Sequence, residues 1–167
     1  MSDDPRRVEA LRLWADGVRL IAARRFAAAI SVLTRSIERF PTAEAYTFRG
    51  WAYSHLGRID EAIAECERAI AVDPSFGNPY NDIGAYLIQQ GRLDEAIPWL
   101  ERATTAERYD ARAFPWANLG RIYAARGDRA RAITCFRQAL DEQPGYPFAL
   151  EMLERLLARQ NGHVQIQ

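Results

Sequence analysis

Glycine recurs along this chain at an interval that strongly restricts the possible fold. The recurring glycines are Gly17, Gly50, Gly84 and Gly120, which lie 33, 34 and 36 residues apart. An alanine keeps the same interval, and an apolar residue follows it four positions later, in the pairs Ala29–Leu33, Ala62–Cys66, Ala96–Leu100 and Ala132–Phe136. Small residues let two helices approach closely, and apolar residues at helical spacing fill the space around the contact. The sequence therefore predicts one helix hairpin, repeated four times.

The fourth unit carries the fullest form of the repeat. Its first helix contains Trp116, Leu119, Gly120 and Tyr123, and its second part contains Ala132, Phe136 and Pro144. This stretch resembles the tetratricopeptide repeat, whose pattern is W-x2-L-G-x2-Y, then A-x3-F, then P. The resemblance covers roughly residues 10–146, because the same positions recur in phase in the three upstream units. It implies an all-α solenoid of four helix-turn-helix repeats, closed by a C-terminal capping helix.

The repeat register also predicts where each unit begins and ends. We place the four repeats of a single domain at about 10–42, 43–76, 77–112 and 113–146. A capping helix is expected at about 147–160, with an apolar stripe that includes Ala149, Met152 and Leu156, and residues 161–167 are expected to form a frayed tail. Leu150 widens that stripe, so a partly exposed edge that supports self-association is an alternative to capping alone.

Two departures from the pattern fall in the third unit. Its closing proline is replaced by Arg108, and two extra residues separate it from the fourth unit, so we expect an altered loop near Glu107–Arg112. Pro98 lies inside the predicted second helix of the unit, where it removes one backbone hydrogen bond and favours a bend. A tolerated local kink and a hinge that moves on binding are both compatible with that proline.

Composition and charge exclude several classes of function. The chain has no net charge, no lysine and no basic stripe, which argues against nucleic-acid binding. It has no apolar run long enough to cross a membrane, and its polar first residues lack a signal-peptide core, so a cytoplasmic location is expected. Cys66 and Cys135 belong to repeats two units apart, so we expect packed thiols in a reducing compartment rather than a disulfide.

Catalytic chemistry finds little support in the sequence. The two histidines, His55 and His163, are far apart, and neither a metal-ligand spacing nor a glycine-rich phosphate loop is present. Paired carboxylates such as Asp60 and Glu61 are explained by helix starts, where the helix dipole favours negative charge. We therefore expect a protein that is not an enzyme and that uses no cofactor and no metal.

The resemblance implies that the first helix of each repeat lines a concave groove. Carried onto this sequence, it selects ten candidate groove residues: Trp14, Val18, Phe48, Trp51, His55, Asn78, Asn81, Asp82, Asn118 and Arg121. The N-terminal part of this set is aromatic and apolar, as in an interface anchor, and the C-terminal part is rich in amides that can bond a peptide backbone. The alternative is that Trp14 and Trp51 fill the seam between the first two repeats.

By this resemblance, the expected function is a non-enzymatic scaffold or adaptor that binds a peptide or helix of a partner protein in the groove. One subclass of the family holds acidic chaperone tails in a carboxylate clamp of Lys, Arg and Asn side chains. Here the corresponding positions include Phe48, Asp82 and Phe114 and lack the cations, so we do not expect a clamp adaptor. Two alternatives remain, a self-assembling module that uses its terminal edges and an accessory subunit of an enzyme complex.

Overall fold

The computed structural model describes residues 4–161, and helices account for most of them. The helices in chain order are α1 (Pro5–Ala22), α2 (Phe26–Arg39), α3 (Ala43–His55), α4 (Ile59–Val72), α5 (Asn78–Gln89), α6 (Leu93–Thr105), α7 (Ala113–Ala125), α8 (Arg129–Glu142) and α9 (Pro147–Asn161). Helix α1 begins ahead of residue 10 because the Asp4 side chain accepts a hydrogen bond from the Arg6 amide and Pro5 occupies the first helical position. The predicted frayed tail lies outside the described residues, apart from Asn161.

The helices pair and stack in chain order. α1 packs on α2, α3 on α4, α5 on α6 and α7 on α8, and the second helix of each pair contacts the first helix of the next. The first helices also contact one another, α1 with α3, α3 with α5 and α5 with α7, so they share one side of the stack. This arrangement confirms the predicted all-α solenoid, and it gives the molecule a surface formed by first helices alone.

The turn inside each hairpin requires a left-handed residue. Gly57, Gly91 and Gly127 provide it in the second, third and fourth hairpins, with φ of 76°, 75° and 76°. Arg24 takes the same conformation in the first hairpin, with φ of 58°. In the fourth hairpin, the Asp128 side chain caps α8 by accepting a hydrogen bond of 3.1 Å from the Arg131 amide.

The close helix contact differs in one respect from the expected meeting of glycine with alanine. A Cβ atom added to Gly84 would lie 2.4 Å from Cδ2 of Leu100, the bulky residue that follows the alanine by four positions. Leu33 lies over Gly17 and Phe136 over Gly120 in the same way. In these three hairpins the glycine therefore leaves space for a large side chain. In the second hairpin Gly50 does meet the alanine, because a Cβ atom there would lie 3.0 Å from the Ala62 carbonyl oxygen.

We expect Gly84→Ala to lower the free energy of unfolding by about 1–3 kcal/mol, because the new methyl group overlaps the Leu100 side chain in a closely packed core. Urea unfolding followed by circular dichroism measures the loss. A Leu100→Ala background removes the overlapping atoms, so Gly84→Ala should cost nothing measurable there. An equal loss in both backgrounds would contradict this account of the contact.

The second hairpin contains a buried ion pair in a position that is apolar in the third and fourth hairpins. Arg49 precedes Gly50, whereas buried Ile83 and Leu119 precede the glycines of the third and fourth hairpins. Arg49 donates from Nε and Nη2 to the two carboxylate oxygens of Glu65, at 2.6 and 3.0 Å, and from Nη1 to the Thr34 hydroxyl at 3.0 Å. The arginine therefore joins the first hairpin to the second as well as pairing with Glu65.

The connection between α6 and α7 folds back on the connection between α4 and α5. The Arg108 amide donates to the Ser75 carbonyl at 3.0 Å, and the Gly77 amide donates to the Arg108 carbonyl at 3.1 Å. The Arg108 guanidinium bonds Asp73 at 2.7 Å and Glu44 at 2.6 Å and lies over the Phe76 ring. An altered loop is thus present where the sequence predicts it. Arg108, which replaces the closing proline, forms a clasp that joins this loop to the start of α3 and the end of α4.

Helix α9 covers the end of the stack. Ala149 and Leu156 are buried against α8, and the Phe148 ring meets the Phe136 ring edge to face at 6.0 Å, whereas Leu150 is exposed. Helix α6 continues through Pro98, which lies on its exposed side. No helix between residues 4 and 161 combines the length and the apolar character needed to cross a bilayer.

Candidate functional site

A pocket opens on the first-helix side of the stack, where three repeats meet. Its volume is about 190 Å³. Helix α3 contributes an apolar and aromatic side, α5 a polar side, and α7 with the preceding connection the remainder. The lining residues are Thr47, Phe48 and Trp51 of α3, Asn78, Asn81 and Asp82 of α5, Tyr109 and Ala111 of the connection, and Phe114 of α7.

A chain of aromatic contacts runs from α1 to the pocket, with Trp14 at one end and Trp51 at the other. Trp14 meets Phe48 edge to face at 5.8 Å and packs with the buried core of the first two repeats, so it fills the seam between them. Phe48 in turn meets Trp51 at 5.9 Å. Trp51 is 44% exposed and lines the pocket. The two tryptophans therefore differ: the position of Trp14 suits packing between the repeats, and that of Trp51 suits contact with a ligand.

The polar side continues beyond the pocket along the first helices. Asn118 of α7 donates to the side-chain oxygen of Asn81 at 3.1 Å, and Arg121 donates to the side-chain oxygen of Asn118 at 3.2 Å. These contacts connect α5 with α7 across the groove. Among residues 4–158, no side chain is hydrogen-bonded to the Asn78 amide, which also lines the pocket.

Asp82 is the one carboxylate in the pocket lining. It is half-buried, and no arginine or histidine between residues 4 and 158 forms an ion pair with it. Burial raises the pKa of Asp82 from 3.8 to about 7, although Asn81 opposes the shift by hydrogen bonding. Near neutral pH, the Asp82 carboxyl group can therefore be either protonated and neutral or ionised and negatively charged.

Four of the pocket residues are not among the ten candidates: Thr47 and Phe114 lie on first helices, and Tyr109 and Ala111 belong to the altered connection before α7. Tyr109 is 4% exposed and packs against Gly77, where a Cβ atom would lie 2.3 Å from Cβ of the tyrosine. Ala111 follows it in the lining. The lost proline and the two extra residues signalled an altered loop, but nothing in the sequence indicated that the loop enters the groove.

The structure brings together half of the ten predicted groove residues. The five that line the pocket are Phe48, Trp51, Asn78, Asn81 and Asp82. Asn118 and Arg121 extend it, and the exposed His55 lies beside Trp51, with ring centroids 5.6 Å apart, and stacks on Phe26. Val18 of α1 is half-buried and, like Trp14, lies outside the pocket lining.

The thiols and acidic groups do not form a second centre in the part of the chain that the structure describes. Cys66 and Cys135 are buried, free thiols, and burial raises the pKa of both, that of Cys135 to about 11. Within the described residues, no three His, Cys, Asp or Glu side chains lie together as metal ligands would. The groove is therefore the candidate site.

Helix hairpins stacked side by side, with a groove formed by their first helices, define a repeat solenoid. Two tetratricopeptide-repeat family models match residues 15–79 and 76–141. The chain belongs to the tetratricopeptide repeat family. The small glutamine-rich tetratricopeptide repeat-containing protein 2 of Mycosarcoma maydis is 34% identical over 90 residues, which are 53% of this chain and 26% of that protein. The chain thus spans about a quarter of the length of that curated relative.

Solved structures match over most of the chain. The structure from the functional characterization of Pseudomonas aeruginosa pilF superposes with a TM-score of 0.89 at 22% identity, over 96% of this chain and 73% of that one. YrrB, a TPR protein described as having an unusual peptide-binding site, superposes with a TM-score of 0.67 at 21% identity, over 85% of this chain and 73% of that one. At these identities the likeness shows the shared fold.

Proposed function

We propose that this protein is a non-enzymatic interaction module that binds a peptide or helical segment of a partner protein along its first-helix groove. Tetratricopeptide repeat proteins are protein-interaction scaffolds, and the groove is the surface that such solenoids offer to a guest. The observation that carries the proposal is the pocket at the junction of α3, α5 and α7, where exposed aromatic rings lie next to side-chain amides.

The chemistry of the pocket suits an extended or helical guest. Trp51 and Phe114 are 44% and 42% exposed and lie on opposite sides of the pocket. Large exposed aromatic side chains that line one pocket are typical of interface anchors. The amides of Asn78 and Asn81 can both donate to and accept from a peptide backbone. A guest would thus find apolar anchors and backbone partners in one place.

The proposal predicts that Trp51→Ala weakens groove binding by about 2 kcal/mol or more while the helix content stays at the wild-type level, because the ring is exposed and supports little of the core. A partner captured from the native cell, or a peptide selected on the protein, supplies the ligand for titration calorimetry, and circular dichroism supplies the check on folding.

Val72→Ala is the matched control for that experiment. Val72 is as exposed as Trp51, at 45%, but it ends α4 on the other side of the stack. The control should bind like the wild type. Equal binding by the wild type and by Trp51→Ala would contradict the proposed groove, and a melted Trp51→Ala variant would place the ring in the core instead.

A further inference from the structure

We propose that the pocket receives a basic side chain of the guest, whose cation lies beside Asp82 and between the aromatic rings of α3 and α7. This inference rests on the proposed function, because it names the chemistry that the groove selects. The occupant is a peptide or helix with an arginine or a lysine at the position that reaches the pocket.

Charge complementarity is the first argument. The side chain of Asp82 is half-buried and, within residues 4–158, has no cationic partner, which is a costly arrangement for a charged group. The arginines nearest to the pocket along the chain are already engaged: Arg49 pairs with Glu65, Arg108 bonds Glu44 and Asp73, and Arg112 donates to the Ala106 carbonyl. A cation from the guest would supply the missing partner.

The surroundings of the carboxylate are the second argument. Phe48, Trp51 and Phe114 line the same small pocket, and their ring faces attract cations as well as the apolar stem of a long basic side chain. The side-chain oxygen of Asn78 can accept a further N–H group. An acidic guest residue would meet Asp82 with like charge, and the lining holds no basic side chain to balance it.

Protonation of Asp82 provides a readout that a purely apolar pocket would lack. The titratable groups that face it are Cys66 of α4, Tyr86 of α5 and Tyr109 of the connection, and burial raises the pKa of each, so all three are neutral near pH 7. The pocket residues of α3 and α7 that line the same space are uncharged, and Asp82 itself has a pKa of about 7. Among the residues that line the pocket, Asp82 is thus the group that changes charge, and a cation should bind about tenfold more tightly at pH 8 than at pH 6.

The test selects ligands without assuming their sequence. A displayed library of 12-residue peptides is selected on the wild-type protein at pH 8, and peptides retained equally by Trp51→Ala are discarded. We expect arginine or lysine to be enriched in the remainder. Replacing that residue with glutamine in the synthetic peptide should weaken binding at least tenfold, and so should Asp82→Asn. Asp94→Asn is the control, because Asp94 is 92% exposed on α6 and lies outside the pocket lining.

The possible outcomes separate the inference from the proposed function. Peptides that depend on Trp51 but show no enrichment in basic residues, or that bind Asp82→Asn as tightly as the wild type, would overturn the inference and leave groove binding intact. A pH-independent affinity for the basic peptides would overturn it as well. If no peptide depends on Trp51, the proposed function fails and the inference fails with it.

Discussion

Arg49→Met should lower the free energy of unfolding by about 3 kcal/mol. The substitution keeps an unbranched apolar side chain in the place of the arginine stem but removes the guanidinium that bonds both oxygens of Glu65, whose side chain is 2% exposed. A buried carboxylate without its partner is the main cost, and the value lies at the lower end for broken buried pairs because Arg68 also contacts Glu65. Urea unfolding followed by circular dichroism gives the number.

Two further variants show whether burial of the pair is the cause. Arg155→Met breaks the exposed pair with Glu151 on α9 and should cost less than about 1 kcal/mol. The double variant Arg49→Met with Glu65→Leu removes both charges, and it should recover most of the stability that the single variant loses. A double variant as unstable as the single one would show that packing by the arginine, rather than its charge, supports the second hairpin.

We expect the stability of the wild type to fall by about 2–3 kcal/mol between pH 5 and pH 8 on account of Asp82 alone. The pKa of this group is 3.8 when it is exposed and about 7 in the folded protein, so the folded state binds the proton more tightly than the unfolded state does. The stabilisation is fully present below the lower pKa and decreases as the pH rises through the interval, because ionisation then costs more in the folded protein.

Asp82→Asn removes the titration and should flatten this dependence. At pH 8 the variant should be more stable than the wild type by about 2–4 kcal/mol, since it replaces a half-buried charge with a neutral group of the same shape. Urea unfolding at a series of pH values gives the comparison, with Asp94→Asn as the exposed control. A profile for Asp82→Asn that runs parallel to that of the wild type would contradict the assignment.

The same substitution thus has opposite expected effects on stability and on binding. Asp82→Asn should strengthen the fold at pH 8 and weaken the binding of basic peptides at that pH. Such opposition is common where a protein holds an unfavourable group for its function, because the cost in the free protein is recovered when the ligand arrives. A loss of both properties would instead indicate that Asp82 has a structural role.

The local pattern of the repeats could be predicted from the sequence because each hairpin is a short-range structure. The turns at Gly57, Gly91 and Gly127 and the cap at Asp128 depend on residues within a few positions, and those residues are typical of helix ends. The interval between Gly17, Gly50, Gly84 and Gly120 then fixes the stacking. The assignment of the groove to the first helices came from the family resemblance.

The contacts that shape the pocket could not be predicted in this way, because they join residues far apart in the chain. Arg108 bonds Glu44 across 64 positions, and Tyr109 packs on Gly77 from the next repeat boundary. The pair of Arg49 and Glu65 has a partial signal in the sequence, since a charged residue stands where the third and fourth repeats have apolar Ile83 and Leu119. A charged residue at this position indicates a buried partner but does not identify it.

The clasp formed by Arg108 has a mechanical consequence. In a solenoid, neighbouring repeats contact only one another and can move relative to each other. A guest that binds such a flexible solenoid must restrict this motion, and the lost entropy lowers its affinity. Arg108 ties the start of α3 and the end of α4 to the connection before α7, so bending should be concentrated towards the ends of the rod. The middle of the rod would then present its cleft at a fixed width before any guest arrives.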